Sequence, residues 1–265
     1  MRAVILVGRG SAAPRAGATL IRLAARCREL EIASLVAAGF LRHCRPLLRE
    51  ALAQCVSRGA TEIVLVPYAL ALTGDDRAEI EQSLQATRTS HPHVALHVTE
   101  ALGEHPVLAQ VLLQRALEAD YVAAHHHAVQ PGKPAWPIWQ APHAIGLVIV
   151  VDGAYTAPAV SGEEVASYCR ATLRYANVEL CFTEGSGPCP GVAIDTLVGQ
   201  GNRAIIVVPY TLDWHASLAS SIEVTLAAAR QRHPAVTIVL AEHLAYDRRL
   251  LAAIAERVRQ AQPGA

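Results

Sequence analysis

The chain has 265 residues, with 23 Lys+Arg against 23 Asp+Glu, 52% hydrophobic residues and only 5% aromatic ones. The zero formal net charge excludes a global field that would steer it to nucleic acid or anionic lipid. No apolar run reaches the ~18 residues of a membrane span. The six cysteines, Cys27, Cys44, Cys55, Cys169, Cys181 and Cys189, form no C-x-x-C pair and read as small buried hydrophobes in a reducing cytosol. The apolar run after Met1 ends at Gly8-Arg9-Gly10-Ser11, too early for a signal peptide, so a cytoplasmic protein is expected.

In chain order, Ala3–Val7 is a short β-branched run bounded by glycine, the pattern of a buried parallel strand. A glycine-bounded loop leads to a helix over Thr19–Leu30, a second strand over Ile32–Phe40, and a helix over Pro46–Arg58. Pro46 is expected in the first turn of that helix and Gly59 at its stop. A third strand, Glu62–Val66, a helix from about Arg77 to Ser90, a fourth strand, Val94–Val98, and a helix over Pro106–Glu118 complete the first half. Residues 123–144 hold His125-His126-His127, four prolines and two tryptophans, and read as a proline-rich connector. Adjacent histidines on an extended segment alternate in direction and chelate poorly as a set. The strand pattern then returns at Ile145–Val151. A helix follows over Ser161–Leu173, with Ser161 and Glu164 as its capping box. Next come Val178–Phe182, a weak helix at Ala193–Gly199, Ala204–Val208, a helix over Ser220–Arg232, Val236–Leu240 and a closing helix over Asp247–Gln260.

The second half repeats the first. Pro67 and Pro209 differ by 209 − 67 = 142, and the same offset pairs Gly59 with Gly201, Ile80 with Ile222, Leu84 with Leu226, Arg88 with Arg230, and His91-Pro92 with His233-Pro234. That period is too long for a solenoid, so each copy is a domain: an N-terminal lobe over 1–122, the connector over 123–144, and a C-terminal lobe over 145–265. Strands and helices alternate in each, which predicts α/β lobes with a parallel sheet and helices on both faces. Ligands of such sheets bind beyond the carboxyl ends of the strands.

Three positions per half fall there. After the first strand stand Arg9 and Asp152, each followed by a glycine. At the end of the second strand are Phe40-Leu41-Arg42 and Phe182-Thr183-Glu184. After the third strand come Ala69–Asp76 and Thr211–Ser217. The second half thus gathers Asp152, Glu184, Asp213 and His215, donors that suit a divalent cation or proton transfer. Alternatively, Asp152 orders its own turn and His215 is an ordinary loop residue. The first half offers Arg9, Arg42 and Arg45 with Asp75 and Asp76. Arginines suit carboxylates or phosphates through bidentate pairing, or they are solvated surface charge. The Gly8-Arg9-Gly10-Ser11 loop is neither a dinucleotide fingerprint nor a P-loop, and Ser11 does not sit in a nucleophile elbow.

These motifs resemble those of the class II tetrapyrrole chelatases, specifically the sirohydrochlorin cobalt and iron chelatases. The family's Gly-His-Gly-Ser loop with a following Pro-Arg is matched by Gly8-Arg9-Gly10-Ser11 with Pro14-Arg15. Its Phe-Leu-Glu strand end is matched by Phe40-Leu41-Arg42 with Pro46. Its third strand, running into Gly-Gly-His, is matched by Val66-Pro67 leading to Thr73-Gly74-Asp75. Leu102-Gly103-Glu104-His105-Pro106 is also similar. The resemblance implies two chelatase-like lobes with a tetrapyrrole cleft between them, an anionic tetrapyrrole as partner, a divalent metal (Co²⁺, Fe²⁺ or Ni²⁺) as substrate, no organic cofactor, and a monomer or homodimer.

It also implies that the family's His-Glu-His set in the first lobe is replaced here by Arg9, Arg42 and Asp75. Two fixed cations repel an incoming divalent ion by a few kcal/mol at an effective dielectric near ~20. Arg9, Ser11, Arg42 and Asp75 are therefore expected to bind the macrocycle. Asp152, Glu184 and His215 are expected to be catalytic, with His215 and Glu184 on the metal. A catalytically inactive tetrapyrrole- or metal-binding paralogue, or a partner subunit, is the competing expectation.

Overall fold

The computed structural model describes residues 1–12, 17–127, 136, 144–153, 159–172, 175, 177–185 and 187–261. Pro14, Arg15 and most of the proline-rich connector lie outside them. So do the side chains of Glu104, His126, His127 and Ser161.

Among the described residues, short apolar runs form eight strands: β1 (Arg2–Gly8), β2 (Leu35–Phe40), β3 (Glu62–Pro67), β4 (Ala95–Val98), β5 (Ile145–Val151), β6 (Asn177–Phe182), β7 (Ala204–Tyr210) and β8 (Thr237–Leu240). The α-helices among the described residues follow them in turn: α1 (Ala18–Glu29), α2 (Leu48–Ser57), α3 (Gly74–Ser90), α4 (Val107–His127), α5 (Ala159–Ala171), α6 (Pro190–Gly199), α7 (Ala216–Arg232) and α8 (Arg249–Gln260). The strands make two all-parallel sheets, ordered β2-β1-β3-β4 and β6-β5-β7-β8. β1 and β5 lie between two neighbours and are buried along almost their whole length. The expected α/β class and the internal repeat are thus present in both halves.

Local signals moved several boundaries. Pro46 precedes α2 rather than entering it; its carbonyl accepts from Phe40 N–H at 2.9 Å, and Leu47 is the N-cap. α3 begins three residues before the expected Arg77, because Thr73 and Asp76 form a capping box. α5 begins at Ala159, so Ser161 lies within its first turn instead of capping it. α4 runs on to His127, so the three histidines end a helix and are not on an extended segment. There His125 Nδ1–H donates to the Tyr121 carbonyl at 2.9 Å, and its ring lies 4.1 Å from that of Tyr121. Four cysteines are buried as expected, but Cys44 is half-buried and Cys189 exposed.

The compact units are Met1–His105 with Ala245–Ala265, and Pro106–Leu244. They differ from the expected division at 122 and 145 because the last helix of each half is exchanged. α8 packs on α1 and β3, burying Leu250, Leu251, Ala253, Ile254 and Val258. It is tied there by Arg2 Nη2 to Val258 O (3.2 Å), Arg257 Nη2 to Ala101 O (3.1 Å) and His105 to Glu256 (3.1 Å). α4 packs on β7, β8 and α5, burying Leu108, Val111, Leu112 and Ala116. Within the connector, Trp136 is buried and donates from Nε1 to the buried Asp120 of α4 at 2.8 Å. The first unit is called unit 1 below and the second unit 2.

Candidate active site

Both units build the carboxyl end of their central strands in the same way. In unit 1, Leu41 N–H donates to Gly8 O and Arg42 N–H to Arg9 O, both at 2.9 Å. Gly10 (φ 79°) presses against that backbone: a Cβ there would lie 2.0 Å from Arg42 O. In unit 2, Thr183 N–H donates to Val151 O at 3.1 Å, and a Cβ on Gly153 would lie 2.2 Å from Glu184 O. The glycine after the first strand is required at these two places because another backbone occupies the side-chain position. That close approach fixes where Arg9 and Asp152 stand.

In unit 1 the arginines converge on Asp76, not on Asp75. Arg9 donates from Nε to Asp76 Oδ2 at 2.8 Å and from Nη2 to Ala71 O at 2.8 Å. Arg42 Nη2 reaches Asp76 Oδ1 and Glu79 Oε2, both at 3.1 Å. Asp76 is 1% exposed and also accepts from Thr73 N–H at 3.0 Å. Burial is the largest single influence on its carboxyl and pushes the pKa up. The Thr73 amide, the charge and hydrogen bond of Arg9 and the Thr73 hydroxyl together outweigh it and hold the group below the usual carboxylate range. Asp75, one residue earlier on the helix, is exposed. Ser11 is half-buried, and its carbonyl accepts from Cys44 Sγ at 3.4 Å. Arg9 and Arg42 are thus internally neutralised by Asp76 and Glu79, which removes the pair of bare cations expected from the sequence. Arg42 keeps 42% of its side chain exposed and retains capacity for an anion.

In unit 2 the polarity is reversed. Asp152 (5% exposed) accepts from Thr183 Oγ1 at 3.3 Å on Oδ1 and faces His215 Nε2 at 2.8 Å on Oδ2. Thr183 is itself oriented, accepting from Gly153 N–H at 3.0 Å. His215 is the N-cap of α7. Its Nδ1 accepts from Leu218 N–H at 3.3 Å and lies 2.8 Å from Ser217 Oγ. A backbone amide only donates, so Nδ1 is the acceptor, and Nε2 carries the proton that points at Asp152. Glu184 is exposed at the end of β6, its backbone against Gly153. Thr211 Oγ1 donates to Asp213 O at 2.9 Å and accepts from Asp213 N–H at 3.1 Å, a turn that sets up the loop. In that loop Trp214 stacks on His243, with ring centroids 5.1 Å apart and planes 10° apart.

Of the residues singled out by sequence, Asp152 and His215 come together, and Arg9 and Arg42 come together through a third residue. Asp75 stays outside its cluster. No group of three His, Cys, Asp or Glu side chains poised for a metal occurs among the described residues, so Glu184 does not join the Asp152–His215 pair here. Sequence reasoning named Asp76 beside Asp75 but gave the site role to Asp75, and it gave no role to Thr183 or Ser217. Thr73-x-x-Asp76 is a legible capping-box spacing, hidden by starting the helix at Arg77. Nothing local marked Thr183.

Two repeated parallel α/β units, each with a polar cluster at the carboxyl ends of its strands, define a two-lobed chelatase-type fold. The CbiX family model matches residues 3–119 and 146–261, and the chain belongs to that family. It is 21% identical over 266 residues to the sirohydrochlorin cobaltochelatase of Priestia megaterium, covering 100% of this chain and 81% of the relative. It is 20% identical over 214 residues to the sirohydrochlorin ferrochelatase of the same organism, covering 80% and 73%. In fold it is similar to SirB from Bacillus subtilis, solved with Fe³⁺, with a TM-score of 0.76 at 19% identity over 98% of this chain and 95% of that one. No helix among the described residues is long and apolar enough to cross a membrane.

Proposed function

We propose that this protein is a metal chelatase acting on a sirohydrochlorin-type tetrapyrrole, with unit 2 handling the metal and the pyrrole protons. Insertion joins one divalent cation to the macrocycle and releases two N–H protons, so the site needs a metal donor and a proton acceptor. The observation that carries the reading is the 2.8 Å contact between His215 Nε2 and Asp152 Oδ2. It sets an oxygen and a nitrogen donor side by side, a pair that suits Co²⁺, Fe²⁺ or Ni²⁺. The metal takes the place of the Nε2 proton, and Asp152 is the adjacent base. Nδ1 then carries the imidazole proton and donates it to Ser217 Oγ, while the Leu218 amide loses its acceptor, at about 1 kcal/mol for one helix cap. Glu184, exposed beside Gly153, supplies a further oxygen donor as the metal arrives. In unit 1, Arg42 is the guanidinium left to pair with a carboxylate of an anionic ligand, with Ser11 in the loop of Arg9 and Asp75 next to Asp76 in sequence.

A second reading, a tetrapyrrole binder without metal transfer, is favoured by the Arg9–Asp76–Arg42 cluster, whose guanidinium groups offer no lone pair. Isothermal titration of Co²⁺ into wild type, Asp152→Asn, His215→Ala and Glu184→Ala decides between them, with visible absorption of sirohydrochlorin followed in parallel. Affinity or insertion rate lowered about tenfold or more in the variants supports the chelatase. Equal affinities in all four overturn the unit 2 site and leave the binder.

A further inference from the structure

The repeat provides an internal control on unit 2. At the offset of 142, Trp214 corresponds to Leu72 and His243 to Ala101, so the stacked ring pair has no counterpart in unit 1. The Asp152–His215 pair has none either: its places are taken by Arg9 and Thr73. Two features absent from one copy therefore occur together in the other, and they adjoin, since Trp214 directly precedes His215. They also lie at the right end of the sheet. Trp214 is in the loop after β7 and His243 in the segment after β8, its hydrogen-bonded neighbour, at the carboxyl edge where ligands of parallel sheets bind.

Both rings are only partly buried, and they are held. Trp214 packs against the core that includes Leu218 and Ile222. The chain at His243 is fixed by Arg115 Nε donating to its carbonyl at 3.2 Å and by Leu244 N–H donating to Thr211 O at 3.1 Å. Burial holds the His243 pKa below the usual imidazole range; Glu242 opposes this and Arg115 adds to it. Near neutral pH the ring is therefore uncharged. With planes 10° and centroids 5.1 Å apart, one ring is layered on the other, so each stiffens its neighbour and the pair offers a flat, neutral ring face; the ligand for such a face is a flat conjugated system.

We infer that Trp214 and His243 are the platform on which the conjugated face of the tetrapyrrole rests, beside the Asp152–His215 pair. This rests on the reading of unit 2 as the metal-handling unit. The platform binds the macrocycle and takes no part in holding the metal.

The test uses metal-free sirohydrochlorin, titrated by visible absorption into wild type, Trp214→Phe and Trp214→Leu, with Co²⁺ alone titrated separately. Stacking predicts that flatness matters more than bulk. Leu raises the Kd for sirohydrochlorin about tenfold, Phe changes it by less than about threefold, and Co²⁺ affinity is the same in all three. If wild type binds sirohydrochlorin and the Leu and Phe variants match it, the platform is overturned and the chelatase reading stands. If wild type binds no sirohydrochlorin, the chelatase reading fails and takes the platform with it. Should Trp214→Leu fail to fold, His243→Leu against His243→Phe decides by the same ordering.

Discussion

His215 Nε2 stands 2.8 Å from Asp152 Oδ2, in the place where unit 1 sets Arg9 Nε 2.8 Å from Asp76 Oδ2. In each unit the residue after the central strand is joined to the first turn or cap of the helix after the third strand. The signs are exchanged: cation on the strand and carboxylate on the helix in unit 1, carboxylate on the strand and imidazole on the helix in unit 2. One backbone plan therefore yields a self-neutralised ion cluster in one copy and a pair of metal-compatible donors in the other.

His215 has two roles that separate by substitution. Asparagine caps helices well, whereas alanine does not. His215→Ala is expected to lose about 1 kcal/mol of stability and His215→Asn a smaller amount, read by urea denaturation. Both are expected to lose about tenfold or more in Co²⁺ affinity. Retained affinity in the asparagine variant would assign His215 to the cap alone.

Asp76→Ala leaves Arg9, whose side chain is 10% exposed, without its carboxylate. Removing one partner of a buried pair destabilises by about 3–5 kcal/mol. Arg42, 42% exposed at the side chain, sits in the range of surface ion pairs, so Arg42→Ala is expected to lose less than about 1 kcal/mol. Chemical denaturation of both variants checks this order, and similar losses would contradict it.

Stability is expected to fall in two stages on acidification. His243 has a folded pKa below its ordinary 6.5, so below pH 6.5 the unfolded chain takes up a proton before the folded one does. Its contribution is complete above 6.5 and is lost as pH falls through the folded value. The carboxyl of Asp76 lies below 3.8 when folded, and the same linkage gives a second loss beginning below 3.8. Asp195 adds to that stage: burial raises its carboxyl, but the hydrogen bonds and charges of His233 and Arg232 lower it further. Urea midpoints followed from pH 8 to pH 3 should show the first stage vanish in His243→Phe and the second shrink in Asp76→Asn.

Gly10 and Gly59 both have positive φ, 79° and 87°, but only Gly10 is crowded. Gly59→Ala meets nothing within 4 Å and is expected to lose about 1–2 kcal/mol from the left-handed backbone alone. Gly10→Ala adds a contact at 2.0 Å with Arg42 O and is expected to lose more, because the two chain segments must part. Thermal unfolding of the two variants tests the difference.

The sequence by itself determined the repeat, the α/β class and the succession of strands and helices along each half, because those rest on short apolar runs, glycine stops and a shared offset, all local. It also placed Arg9, Asp152 and His215 at the carboxyl ends of the strands. Only the tertiary structure decided which side chains meet. Starting α3 at Gly74 rather than Arg77 turns Asp76 inward and leaves Asp75 in solvent, since successive residues on a helix point about 100° apart. Asp152 and His215 are 63 residues apart in sequence, and no local pattern couples them. The exchange of α4 and α8 was equally hidden. An amphipathic helix shows in its spacing that it will bury one face, but two sheets of near-identical apolar character offer that face the same chemistry. The choice between them is made by contacts far along the chain, such as Arg257 to Ala101 and Arg115 to His243.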